Sequence, residues 1–327
     1  MTAEEPSDTD AAPTVADLGS ATGGVWTRAD ALTCGLSDDV IAGRVRAGYW
    51  QQLQRGVFCD GGIEPTAAMR GWAAILASGG PGRAWADGRT ALRLFRLPLI
   101  DDDDPATDAC DRVHDDVAVH RARALRQTNR LHRRRRAHAF EIGVLDGCPC
   151  VSLGEALLSA AGVLTHEALV CVLDAALHRE LLTPQALAAL LARSGRRRHV
   201  GALRHAVALA DGRAESPAET LCRLLLLPHL PGLVPQVRVR DGSGRLIARL
   251  DLGDERLLLA VEADGRAGHE GEQMAAKDRQ RDARTEDHGW RTERATWFEL
   301  RRRRQQLLRR VLKAADKQRA ARATSLG

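Results

Sequence analysis

Asp251, Glu262, Asp264 and His269 surround one apolar run, Leu257 to Val261, in the stretch RLDLGDERLLLAVEADGRAGHE from Arg249 to Glu270. Burying such a run beside ionised carboxylates is unfavourable unless the charges meet a cation or water at the strand end. Carboxylate oxygens gathered in this way suit a hard divalent cation, which takes oxygen ligands and keeps several waters. Alternation along a strand points Glu262 and Asp264 to the same side. Asp251 ends the preceding antiparallel strand, and one register brings it within bridging distance of Glu262 through a single ion. Gly265 permits a sharp turn that returns His269 over the same end. A solvated strand end explains one or two acids, but explains poorly an acid on each of two strands with a histidine just beyond. The chemistry this points to is phosphodiester hydrolysis assisted by Mg (or Mn), with Asp251 and Glu262 bridged through the ion.

Glu219 is the third residue after Ser216, with Pro217 at the first helical position, so it completes a capping box. That role accounts for it without a metal, and a place at the site stays open beside it. Lys277 is the only lysine before Lys313. If an ammonium is needed near the scissile phosphate, Lys277 is the candidate. Asp278 and Arg281 lie one helical turn apart and read as an exposed pair.

The elements that must position these residues read as an α+β multidomain chain. Residues 1–17 are acidic and polar and read as a disordered tail. In residues 18–62, Thr27 caps a helix through Cys34, Ser37 caps another from Asp38 to Ala47, and two short strands run from Trp50 to Phe58 around Arg55-Gly56. Helix, turn, helix and β-wing make a winged helix, with Ser37, Arg44, Arg46 and Arg55 as candidate DNA contacts. Residues 63–151 form an α+β middle segment with helices at Thr66–Ser78 and Thr90–Phe95. It has an exposed acidic loop at Asp101–Asp104, and its basic run Arg133–Arg136 is a solvated turn or a phosphate contact. Residues 152–212 are helical, opened by a Ser152/Glu155 capping box. Residues 213–317 show a helix from Ser216, strands at Val234–Arg240, Arg245–Leu252 and Arg256–Asp264, a charged helix at Glu270–His288, a strand from Gly289 to Thr296, and one closing helix from Phe298 to Lys317. A tail of residues 318–327 follows. This is an α/β nuclease layout with a small mixed sheet.

Composition narrows the classes. Net charge is +5 with a pI near 9.0, and three lysines leave arginine to carry nearly all the positive charge. Arginine suits phosphate through bidentate hydrogen bonds. Aromatics are 3%, which argues against base-stacking platforms for single strands. No apolar run approaches membrane-spanning length, and the acidic N-terminus is no signal peptide, so a cytoplasmic protein is expected. Seven scattered cysteines without an export signal make a disulfide framework unfavoured.

Asp251, then LLLAVEADG through Glu262, Asp264 and Gly265, then His269, Asp278 with Arg281 and Gly289-Trp290, after a Ser-Pro-x-Glu helix start at Ser216–Glu219, resemble the very-short-patch-repair-like endonuclease domain of the PD-(D/E)xK superfamily. Gly24-Val-Trp-Thr-Arg-Ala-Asp30, Gly35-Leu-Ser37, Gly48-Tyr-Trp50 and Arg55-Gly-Val57 resemble the N-terminal winged helix of AbiEi-type antitoxins. The first resemblance implies a restriction-endonuclease-like fold. It makes Asp251 the central metal ligand, helped by Glu262 and the Ala263 carbonyl, and His269 an acid or base. Asp264 stands where that superfamily has lysine, a departure that leaves Lys277 or His269 to supply the function. Two functions follow from this. One is a metal-dependent DNA endonuclease targeted by the winged helix. The alternative is a non-catalytic DNA-binding regulator or antitoxin with a degenerate nuclease domain, working with a toxin or repair partner.

Overall fold

The computed structural model describes residues 14–103, 115–119, 131–135, 140–264 and 285–325. The chain is mixed α+β and divides into two compact units, Met1–Val163 and Leu164–Gly327. Among the described residues no helix is long and apolar enough to cross a membrane. All six described cysteines are free thiols.

The first unit opens with α1 (Val15–Ser20), β1 (Val25–Thr27), α2 (Arg28–Thr33), α3 (Asp38–Arg46), β2 (Trp50–Gln54) and β3 (Val57–Asp60). Thr27 and Asp30 form the reciprocal cap of α2, and the Ser37 hydroxyl accepts from Val40 N to start α3. The strands form a sheet in the order β1-β3-β2. Trp26, Ile41, Trp50 and Phe58 close the core beneath it, with the Trp26 and Trp50 rings edge to face at 5.1 Å. Helix α1 starts inside the segment read as tail.

The rest of this unit is α4 (Ala67–Leu76), β4 (Ala84–Asp87), α5 (Gly88–Leu94), a 3-10 turn (Ile100–Asp103), β5 (Asp115–Val119), β6 (Leu131–Arg135), β7 (Ile142–Leu145), β8 (Cys148–Val151) and α6 (Leu153–Ala160). Its sheet runs β6-β5-β4-β8-β7. In the basic run Arg133–Arg136 the expected solvated turn is strand through Arg135, and Arg136 lies outside the described residues. Residues through Arg135 form β6, parallel to β5, and Arg133 donates to Ser78 Oγ and Ala77 O at 2.9 Å each, closing the C-terminal end of α4. Two further readings change. Asp101 is half-buried rather than exposed, and the Ser152 hydroxyl makes no capping bond.

A charged network lies in the middle of this sheet. Asp116 is fully buried and accepts from Arg89 N and Arg89 Nε at 2.9 Å each, with His132 Nδ1 at 3.4 Å. Burial pushes its carboxyl up, but the hydrogen bonds from His132 and Arg89 and the charges of Arg89 and Arg134 outweigh it, so the group sits well below the usual carboxylate range. A depressed folded-state value means stability that is present above the unfolded value of 3.8 and is lost as pH falls through the folded value. The neighbouring Asp115 is raised by burial and acts with the opposite sign, so a comparison is needed. Between about pH 5 and about pH 2 the wild type is expected to lose more resistance to urea than Asp116→Asn. Parallel losses in the two proteins would remove Asp116 from the account.

The second unit begins with α7 (His166–His178), α8 (Pro184–Ser194), α9 (Val200–Leu209) and α10 (Pro217–Leu226). Thr165, Thr183 and Ser216 cap α7, α8 and α10 through their hydroxyls. Strands β9 (Val234–Arg240), β10 (Leu246–Asp254), β11 (Leu259–Asp264) and β12 (Arg291–Thr296) make a mixed sheet in the order β12-β11-β10-β9. β11 is antiparallel to β10 and parallel to β12. As an inner strand it is buried from Leu259 to Glu262. The turn expected at Gly253–Glu255 comes later, because β10 continues through Asp254, whose Oδ1 then accepts from Arg256 N and Leu257 N. The closing helix is two helices, α11 (Trp297–Arg302) and α12 (Arg304–Ser325), broken at Arg303 (φ −133°, ψ 36°). α12 passes the boundary read as the start of the C-terminal tail.

Candidate active site

Helix α10 carries Glu219 toward the sheet. Pro217 presets its first turn and the Ser216 hydroxyl accepts from Glu219 N at 3.2 Å. The capping box differs from the expected one. The Glu219 carboxylate accepts from Glu215 N (3.0 Å) and from Gln236 Nε2 on β9 (2.9 Å), both on Oε2. Glu219 is buried, and burial raises its carboxyl above the ordinary range. The Glu215 amide opposes the rise, and the nearby Asp251 charge adds to it. Glu219 thus combines a place at the helix start with a hydrogen bond to β9 and lies near enough to Asp251 to feel its charge.

Asp251 and Glu262 meet across the β10–β11 ladder. Leu252 pairs with Val261, which sets Asp251 opposite Glu262. Asp251 N lies 3.4 Å from Glu262 Oε1, and Ala263 N donates to Asp251 Oδ2 at 2.9 Å. Beneath them, Cys222 on α10 is completely buried. Its thiol is pushed far up by burial first, then by the charges of Asp251, Glu219 and Glu262. One buried sulfur thus feels three carboxylates, which disfavours its thiolate form.

Asp264 does not join this group in the same way. It is half-exposed and pairs with Arg294 Nη1 of β12 at 3.3 Å. His269 and Lys277, with Asp278 and Arg281, lie outside the described residues.

Three residues near the cluster escaped the sequence reading. Arg249 pairs with Glu215 at 2.5 Å and feels the charges of Asp251 and Glu219. Arg294 brings a cation beside Asp264. Gln236 lies across from Asp251, between the pairs Leu250–Val237 and Leu252–Pro235. Its φ is +61°, and its Oε1 is buried without a hydrogen-bond partner. The left-handed region costs a non-glycine residue about 1–2 kcal/mol, and an orphaned buried acceptor about 1–3 kcal/mol. Alternation alone marks Gln236 as one more polar strand residue, so no signal in the sequence singled it out.

No family model matches this chain, and none of the curated proteins matches it.

What a cation would meet here is an oxygen donor set. Among the described residues no group of three or more His, Cys, Asp and Glu side chains is arranged to hold an ion. That arrangement does not suit an all-protein cage or a tetrahedral zinc site. Two carboxylates across a ladder, with an orphaned amide oxygen close by, suit magnesium or manganese, which keep most of their waters. A groove of about 1010 Å³ shares Gln236 with this neighbourhood; Arg213, Arg238, Arg249 and Arg256 line it together with Glu215, Asp254 and Glu255, while Asp251, Glu262 and Glu219 do not.

The residues expected to contact DNA lie in the first unit. Ser37 is exposed, and its hydroxyl is engaged as the cap of α3. Arg44 is half-buried and lies over the Trp50 ring at 5.1 Å, a packing role. Arg46 and Arg55 are exposed.

Proposed function

We propose that the second unit is a magnesium- or manganese-dependent endonuclease of the PD-(D/E)xK type, acting on DNA. The observation that carries this reading is the meeting of Asp251 and Glu262 across β10 and β11, with Glu219 brought beside them by α10. Asp251 and Glu262 would hold the ion, and Glu219 would sit in the surrounding shell. When bound, the ion would ease deprotonation of the attacking water and offset charge building on the phosphate. The arginines of the groove that Gln236 lines give the phosphodiester backbone cations to lie against. His269 is the residue proposed to move the proton. The assay is nicking of supercoiled plasmid by the full chain over a magnesium and manganese titration. Cation-dependent nicking that EDTA stops is expected, and no nicking at any concentration removes the reading.

The opening of the first unit serves, in this proposal, as a winged helix that brings the chain to duplex DNA in the cytoplasm. Arg46 and Arg55 are the contacts to phosphate, while Ser37 and Arg44 hold α3 in shape. Each of Arg46→Ala and Arg55→Ala is expected to weaken binding to any duplex and to lower the salt slope by about 1. Unchanged slopes in both variants would place the duplex elsewhere.

A second reading is favoured by one contact. Asp264, at the position where the resembling nucleases have lysine, is tied to Arg294. A degenerate nuclease domain in a DNA-binding regulator or antitoxin, partnered by a toxin, would tolerate that pairing. It predicts duplex binding with no cleavage under any cation.

A further inference from the structure

We propose that Gln236 is part of the cation site: its amide nitrogen fixes Glu219, and its orphaned carbonyl oxygen accepts a hydrogen bond from a water in the hydration shell of a divalent cation that Asp251 and Glu262 would hold. The inference rests on the cation site of the preceding section, though not on DNA being the substrate.

Three observations on one side chain lead to it. First, Gln236 Nε2 donates to Glu219 Oε2 at 2.9 Å. That same oxygen already accepts from Glu215 N, so it faces Gln236 as an acceptor, and the nitrogen end of the amide must be the one turned to it. The orientation of the amide is therefore set by its partner. Second, the oxygen end, one amide width away, is buried with no partner among the described residues. Buried acceptors in folded proteins nearly always find a donor, and an exception calls for an explanation. Third, the backbone at Gln236 is held at φ +61°, where glycine or asparagine would be at ease.

The positive φ and the unmet acceptor are both costs, and the hydrogen bond to Glu219 is the one return they bring within the fold. The position explains the combination. Gln236 on β9 stands opposite Asp251 on β10, and its partner Glu219 feels the Asp251 charge. A cation between Asp251 and Glu262 that keeps several waters needs acceptors around it, since each bound water carries two acidic protons. Carboxylates supply some, and an amide oxygen supplies one without adding charge to an already crowded acidic cluster.

The test is direct cation binding by the full chain, followed through the loss of the free Mn²⁺ resonance, with magnesium competition and no DNA. Gln236→Met keeps the length of the side chain and removes both polar ends. Its melting temperature without cation is expected close to that of the wild type, the removal of the orphan offsetting the lost hydrogen bond to Glu219. Its affinity for Mn²⁺ is expected to fall about tenfold or more, the range for losing a group behind the ligands. Should Gln236→Met fail to fold, Gln236→Asn decides, since asparagine accepts the positive φ but withdraws the amide by one methylene; the same loss is expected. Mn²⁺ affinity within twofold of the wild type in a folded variant overturns the proposal, as does a wild type that binds no Mn²⁺. A wild type that binds Mn²⁺ but leaves DNA intact sinks the nuclease reading alone, and the variant comparison still decides the role of Gln236.

Discussion

Asp251→Asn is expected to abolish cation-dependent nicking while leaving the unloaded protein as stable as the wild type or more so. The carboxylate accepts from Ala263 N and lies opposite Glu262. Asparagine keeps an oxygen for Ala263 N and removes the charge. In the proposed reaction the ion offsets several kcal/mol of charge at the phosphate, and each 1.36 kcal/mol is about tenfold in rate. A rate drop of about a thousandfold or more is therefore expected. Stability moves the other way because Asp251 and Glu219 lie close enough for one charge to raise the other's carboxyl. Removing one charge relieves that repulsion. Nicking within about tenfold of wild type, in a preparation free of contaminating nuclease, would sink the assignment of Asp251. Glu262→Gln is expected to behave alike.

Asp174→Ala is expected to give the largest loss of stability in the second unit, about 3–5 kcal/mol, the range for breaking a buried pair from one side. Asp174 and Arg223 are both buried, with Arg223 Nη2 donating to Asp174 Oδ2 at 2.8 Å. Thr220 Oγ1 donates to the same oxygen at 2.8 Å, and Asp211 N to the other at 2.7 Å. These bonds tie α7 to α10 just beyond Glu219. Alanine would strand the Arg223 charge in the interior, with Leu209 O as its remaining partner. Urea unfolding followed by circular dichroism measures it. A loss under about 1 kcal/mol would mean that Arg223 finds water or a new acceptor.

Most of the framework around these residues was legible because it rests on local rules. Thr27, Ser37, Thr66, Thr165, Thr183 and Ser216 each open a helix as their position before it suggests. The meeting of Asp251 with Glu262 was legible as one possible register, and the ladder adopts it. What escaped depends on partners distant in the chain. Arg133 reads as a solvated turn residue until Ser78 and Ala77 appear as its acceptors. The break at Arg303 has no proline or glycine to announce it. Gln236 and Arg294 acquire meaning only from Glu219 and Asp264, which sit on other elements. His269, expected to move the proton, and Lys277, the candidate ammonium near the phosphate, both lie outside the described residues.

The order in which the elements come off the ribosome carries a consequence. Glu219, Asp251 and Glu262 are all made before β12, α11 and α12, yet β11 needs β12 as its parallel neighbour and α10 packs against both closing helices. Domains fold as units during synthesis. A nascent chain stalled after Glu262 would hold every acid of the cluster without the scaffold that gathers them. If the proposed cutting activity is present, it would arise only once β12, α11 and α12 had been made and packed.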